Sequence, residues 1–503
     1  LNTEALRRHL TPRRIAVAAG VFALFPVLVA LFRSIGLDWS PAGDWAVIEQ
    51  RVRDVGTDDT PLLGPYSRYG WNHLGPMMFW LLAIPYNLTG GQSWSLLGGA
   101  ALLNGVAIAL AVALAWMAGR LMFATVVAVA MLVLQLWLGP TLIADPWNPW
   151  ISIIPFALLI VATWSCVLRV PLALPVVAVT SSFLVQSHVG FGLMCAALAA
   201  VAVVAASFNR FGANVWRVTG TLVVIAWLPV LFDLIGGQNN LGAVFEHFGS
   251  GNENVGMMQA VDAIGNVLVI GPWAVTAIFL VLSAAVSIVC WRAGDRRSVA
   301  VIGISALTVF AGVASTSAIT EEVHTWLVRW WLAIAVTWLA GIGWAITRRI
   351  RPGVWPEYVG TTLVGIAVLL AIVSLFRVSP NPPASEYGPV VERFDDAASQ
   401  VVESGQVFAI TGEGGEAGWI SDALSLELEK SGSRRASDLV NRYGPERNTD
   451  AEVQLFVGTG DGIETFANQE GLVQIASWAP GDNAGDPVPS DIALFAPQEA
   501  VGG

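Results

Sequence analysis

Charge is scarce in this chain. Only 13% of its 503 residues are Asp, Glu, Lys or Arg, while 55% are hydrophobic. A water-soluble fold of this length could not hide so much apolar surface, so a soluble enzyme is excluded and a membrane protein expected. Lysine is almost missing: Lys430 stands alone, and the basic charge is otherwise arginine. No block of basic residues exists to grip a phosphate backbone, which argues against nucleic acid as a partner. Cysteine is equally rare. Cys166, Cys195 and Cys290 all fall inside apolar runs, so neither a disulfide framework nor a zinc site is expected. No internal repeat is visible.

What the chain has instead is long apolar runs. Eleven are long enough to cross about 30 Å of hydrocarbon: roughly 15–35, 95–118, 121–139, 150–168, 171–186, 189–208, 216–236, 268–291, 298–318, 325–347 and 355–376. The first follows Arg7, Arg8, Arg13 and Arg14, which resembles a signal peptide. No small-residue cleavage site follows it, so an uncleaved helix is expected. A further stretch, 74–90, is short and carries Pro76 and Pro85. Arginine placement decides its status. If it does not span, the N-terminal arginines, Arg120, Arg169, Arg210/Arg217, Arg292/Arg296/Arg297 and Arg348/Arg349/Arg351 all fall on one side of the membrane, as short basic cytoplasmic loops should. If it spans, the pattern breaks. The stretch therefore reads as a juxtamembrane or re-entrant helix.

This topology predicts a multi-pass membrane protein with its N-terminus in the cytoplasm. The residue usage, rich in Ala, Val, Gly and Arg with one Lys, looks bacterial and high-GC, so a bacterial inner membrane is expected. Loops 36–94, 140–149, 186–188, 237–266 and 319–324 then lie outside, together with everything after Phe376. Pro380, Pro382 and Pro383 mark a stiff exit from the last span. Residues 377–480 read as a small α/β extracytoplasmic domain, with helices at 389–404 and 418–431 and strand-like runs at 406–411, 453–457 and 472–477. Residues 481–503 are Pro/Gly/Asp-rich and read as a disordered tail.

The loop after span one is the most polar segment of the first 240 residues. Asp44 follows Gly43 and opens an amphipathic helix, Trp45 to Val55, whose polar face carries Glu49, Arg53 and Arg51. An acid at a helix start can be a cap or, beside a ring of His, Tyr and Arg on a membrane surface, a catalytic base. Asp145 sits in a Pro/Trp-rich turn, where an Asx turn competes with a sugar-binding role. Gln186, Ser187 and His188 interrupt two apolar runs, either as a plain turn or as ligands to a phosphate or sugar. Asp233 reads as helix cap or cavity wall, and Trp45, Trp71, Trp147 and Trp150 as interface anchors or sugar-stacking rings.

These motifs resemble the GT-C superfamily of polytopic glycosyltransferases, above all the branch related to protein O-mannosyltransferases and lipid A aminoarabinose transferases. Three features carry the resemblance over about residues 1–350. They are Asp44 at the start of a juxtamembrane helix, the run Gly75-Pro76-Met77-Met78-Phe79-Trp80, and the second loop Ala144-Asp145-Pro146-Trp147-Asn148-Pro149. Asp44 has no adjacent second acid and Gly75 stands where relatives often have proline.

The resemblance implies an inverting transfer from a polyprenyl-phosphate-linked sugar donor, held in membrane lipid, to a hydroxyl of a glycan, lipid or protein acceptor. No organic cofactor is implied, and a divalent metal stays open. Asp44 would be the general base. A cation must hold the lipid phosphate: Arg329 in HTWLVRWW first, because an arginine near hydrocarbon either snorkels or works, with His324, Arg68 and His73 beside it. Asp145, Asn148, His188, Gln186, Tyr66 and Trp45 would contact sugar or acceptor. Mannose and arabinofuranose both suit a high-GC bacterium. Two other classes compete: a transporter or flippase, which predicts paired halves that are not found, and a scaffold acting through its outer domain, which leaves the loop-one residues unexplained.

Overall fold

The computed structural model describes residues 11–250, 254–349, 355–375, 382–479, 488 and 491–501. Arg7, Arg8, Glu253, Arg351 and Pro380 lie outside them. The polytopic part comprises α1 (Pro12–Ser34), α2 (Asp44–Arg53), α3 (Met77–Leu88), α4 (Trp94–Leu138), α5 (Asn148–Val167), α6 (Ala173–Ser187) and α7 (Val189–Phe208). It continues with α8 (Ala213–Gly236), α9 (Asn240–Gly249), α10 (Gly256–Leu268), α11 (Pro272–Arg292), α12 (Arg296–Ser317), α13 (Thr325–Thr347) and α14 (Trp355–Leu375).

Among the described residues, seven of these helices are long and apolar enough to cross a membrane, and several shorter apolar ones accompany them. Each of the eleven runs coincides with a helix or half of one. The half-helices belong to α4, where Arg120 adopts φ 56°, ψ −148° and divides the element. An unbranched positive-φ residue breaks the hydrogen-bond ladder at that point. Lipid-facing surface is clearest on α8, which exposes Val224, Leu231, Phe232 and Ile235. With no water to exclude, such residues face hydrocarbon at no cost. α3 has 12 residues, about 18 Å of helix, too short to span. It packs on α2 and α4 instead.

The C-terminal part holds α15 (Gly388–Ala398), α16 (Ala417–Lys430), α17 (Val440–Tyr443), α18 (Asp461–Ala467) and strands β1 (Val407–Glu413), β2 (Arg434–Arg435), β3 (Val453–Thr459), β4 (Leu472–Trp478) and β5 (Ile492–Pro497). The sheet order is β2-β1-β3-β5-β4. β1 runs parallel to β2 and β3, and β5 antiparallel to β3 and β4. Phe394, Phe408, Leu424, Leu455 and Leu494 fill its core. The expected disordered tail, 481–503, is corrected over its described stretch 491–501. Ile492–Pro497 is an interior strand, its first five residues buried, because five of its six residues are apolar and both its edges are paired.

The polar face of α2 is covered by the C-terminal part, which packs on it. Glu49 is 0% exposed and accepts from Tyr86 (2.9 Å), Ser93 (3.0 Å) and the lone lysine, Lys430 (3.1 Å). Arg51 pairs with Asp54 and Glu446. Arg447 binds Asp54 at 2.9 Å, Glu429 at 2.9 Å and Glu446 at 2.9 Å, with its side chain 6% exposed. Removing one member of a buried network strands the others without compensation. Arg447→Met therefore lowers stability by roughly 3–5 kcal/mol, read as a lower melting temperature in detergent and faster proteolysis of the C-terminal part. An unchanged melting temperature would show that the network carries no stability.

Candidate active site

Gly43 sets the site. It takes φ 56°, ψ −131°, donates its N–H to the Trp419 carbonyl (3.1 Å), and a Cβ there would lie 2.9 Å from the Trp419 ring. Only glycine meets both conditions. Asp44 follows as the first residue of α2. Its Oδ1 accepts from the Tyr66 hydroxyl and its Oδ2 from Trp147 Nε1 (2.9 Å). Four lone pairs on a carboxylate leave room for a further donor.

Tyr66 stands on a small hairpin. Gly64 N–H donates to the His73 carbonyl (2.9 Å), His73 N–H to that of Pro65 (2.8 Å), and Ser67 N–H to that of Trp71 (2.8 Å). The hairpin is tied from two sides: Asn240 exchanges hydrogen bonds with the Asn72 backbone, and Asn72 Nδ2 donates to the Asn441 carbonyl (2.6 Å).

Two cavities meet at Asp44. One, about 480 Å³, is lined by Asp58, Asp59, Asp233, Arg51, Arg442 and Glu446 among others. The other, about 430 Å³, is lined by Arg68, His73, His188 and His247 together with apolar and aromatic groups, including Trp71, Leu193, Phe248, Ile319, Trp326 and Leu327. Asp44, Tyr66, Trp147 and Asn148 belong to both walls. Carboxylates outnumber guanidinium groups on the first wall, and the second is mostly apolar with Arg68 and three histidines.

The histidines have defined roles. The Val189 N–H donates to His73 Nδ1 (3.2 Å) and the Gly190 N–H to His188 Nδ1 (3.2 Å). In the neutral form each ring proton then sits on Nε2. Burial, with His188 close by, holds His73 well below the usual histidine range, and burial takes His188 down to about 4. Arg68 donates to the Tyr69 hydroxyl (2.7 Å) and lies 3.8 Å from Glu321.

The sequence-derived candidates divide. Asp44, Tyr66, Arg68, His73, Asn148 and His188 come together on these walls. Arg329, His324, Asp145, Gln186 and Trp45 line neither cavity. Arg329 lies just past the first turn of α13, and its Nε is buried without a hydrogen-bond partner among the described residues. His324 stacks on Trp326 at 4.2 Å. Asp145 is held in an Asx turn: Oδ1 accepts from the Trp147 N–H (2.9 Å) and from Trp45 Nε1 (2.8 Å). It thereby aims Trp147 at Asp44. Trp45 is wedged between Trp147 and Trp419. Gln186 donates to the Ala226 carbonyl (2.7 Å), and its side chain occupies the space that a Cβ on Gly75 would need. Asp233 caps α9 through the N–H groups of Gln238 and Asn240 (3.0 Å each) and also lines the acidic cavity. Sequence reasoning passed over Arg442, which comes from the C-terminal part, and left Tyr69 unassigned. Among the described residues, no group of three or more His, Cys, Asp or Glu is arranged to hold a metal ion.

The whole chain can now be set beside known structures. ArnT from Cupriavidus metallidurans, crystallised bound to undecaprenyl phosphate, superposes with a TM-score of 0.56 over 94% of this chain and 97% of that one, at 14% identity. The chain has the GT-C fold. It is a multi-pass membrane protein with a small sheet-bearing part near its C-terminus. An oligosaccharyltransferase from Archaeoglobus fulgidus, in complex with zinc and sulfate, matches at TM-score 0.36 and 13% identity, over 88% of this chain and 68% of that one. No family model matches the sequence, and no curated protein matches it.

Asp145 makes the surroundings of Asp44 sensitive to pH. Burial pushes its carboxyl up from 3.8 to about 7, against the pull of two N–H donors. Above its ordinary range the unfolded chain releases a proton that the folded chain keeps, so stability falls as pH rises from about 4 to about 7. Asp145→Asn keeps both hydrogen bonds and removes this slope. The measurement is the melting temperature of both proteins across that window, and parallel curves would refute the assignment.

Proposed function

We propose that this protein is an inverting glycosyltransferase that moves a hexosyl or pentosyl group from a polyprenyl-phosphate donor to an acceptor hydroxyl at the extracytoplasmic face of a bacterial inner membrane. One observation carries this reading: an apolar cavity with Arg68 and histidines on its wall and a cavity rich in carboxylates share a single carboxylate, Asp44. A donor with a greasy tail and an anionic head suits the first cavity, and a polyhydroxyl acceptor suits the second. The bound undecaprenyl phosphate of ArnT, on a shared fold, supports the lipid assignment.

The chemistry needs little else. The acceptor oxygen attacks the anomeric carbon as Asp44 takes its proton, and the bond to the phosphate oxygen breaks with its electron pair leaving on the lipid phosphate. A single displacement inverts the anomeric centre. The leaving group is already good, so the protein must only stabilise its charge. Arg68 supplies the positive charge, and neutral His73 and His188 supply Nε2–H donors at the same cavity. This replaces the sequence-based choice of Arg329. Tyr66 and Trp147 keep the base in place between the two substrates.

The test uses proteoliposomes, radiolabelled polyprenyl-phosphate sugar and a cell-envelope extract as acceptor. Transfer of label is expected, and passage of the donor across the bilayer without transfer would point to a flippase. Asp44→Asn should retain donor binding and lower transfer by about 100-fold or more. Near-normal turnover in that variant would remove Asp44 from the mechanism. Arg68→Ala should raise the apparent donor KM about tenfold, and an unchanged KM would place the phosphate elsewhere.

A further inference from the structure

The C-terminal part reaches the base itself. Arg442, in α17, places its guanidinium 4.7 Å from the centroid of the Tyr66 ring. On its other side Arg442 is ion-paired with Asp422 of α16, whose side chain is 1% exposed. Asp422 also takes the Tyr443 hydroxyl and Arg435 (3.3 Å). The guanidinium is therefore held from below by a buried anion and laid against an aromatic face. Burial works against its charge, but the carboxylates of Asp422 and Asp44 favour it.

Docking does not require this contact. Trp39 Nε1 donates to the Pro383 carbonyl (2.9 Å), Gly43 N–H to that of Trp419, Lys430 pairs with Glu49, and Arg447 pairs with Asp54, all independently of Arg442. A cation over a phenol ring fixes the ring's plane and draws electron density from its oxygen, strengthening the hydroxyl as a donor. Here that hydroxyl donates to Asp44.

We propose that Arg442 is a positioning residue: it fixes Tyr66 and, through Tyr66, the Asp44 carboxylate, so that the C-terminal part completes the catalytic geometry. The inference rests on the reading of Asp44 as the base. The same proteoliposome assay tests it. Arg442→Ala should lower kcat about tenfold with donor KM within about twofold, and Arg442→Lys should recover most of the loss. In a Tyr66→Phe background, Arg442→Ala should cost little more, because the path to Asp44 is already cut. An equal tenfold loss in that background, or a raised KM at unchanged kcat, would overturn the proposal and leave Arg442 as a domain anchor. Failure of the wild-type protein to transfer any label would instead sink the glycosyltransferase reading, and this inference with it.

Discussion

A charged helix face buried between two layers must bring its own partners, and α2 is such a helix. Glu49, Arg51 and Asp54 are all shielded from water, and their compensation comes from about 400 residues further along the chain, from Glu429, Lys430, Glu446 and Arg447. A buried ion pair is a weak source of net stability but a strong source of register, because any other docking leaves charges unmatched. Here register is what the site needs. The same packing that pairs these charges presses Trp419 against Gly43 and brings Arg442 to Tyr66. Asp44, at the head of α2, inherits its place from that fit.

The neighbourhood of Asp44 then separates two kinds of chemistry. Tyr66 and Trp147 form a thin wall between an acidic hollow and an apolar one, and each touches the carboxylate. Trp147 is aimed by Asp145, which is itself out of reach of either cavity. A residue can thus matter to the site without lining it. Of the three histidines on the apolar hollow, His73 and His188 are kept neutral by burial, so what these two can offer there is hydrogen bonding.

The helices were legible because hydrocarbon imposes one requirement, a long apolar run, and arginine placement sorted the ambiguous stretch 74–90. The break at Arg120 was visible for the same reason, as a charge between two runs. β5 was not, since IALFAP follows a Pro- and Gly-rich stretch whose composition hid a paired strand. In the site, Asp44, Tyr66, Arg68, His73, Asn148 and His188 stood out as polar residues at loop boundaries. Arg329 stood out by the same rule, yet it lines neither hollow. Arg442 could not be found, because its partner Tyr66 is joined to it by docking and nothing in either segment names the other.

The position of β5 has a consequence for assembly. This strand lies inside the sheet, with β3 on one side and β4 on the other, yet it follows every span and every other strand in the chain. Until it is synthesised and threaded between its neighbours, the sheet stays open. During that interval β4 lacks its one neighbour among the described strands. Insertion of the described spans and closure of the sheet are therefore separate events.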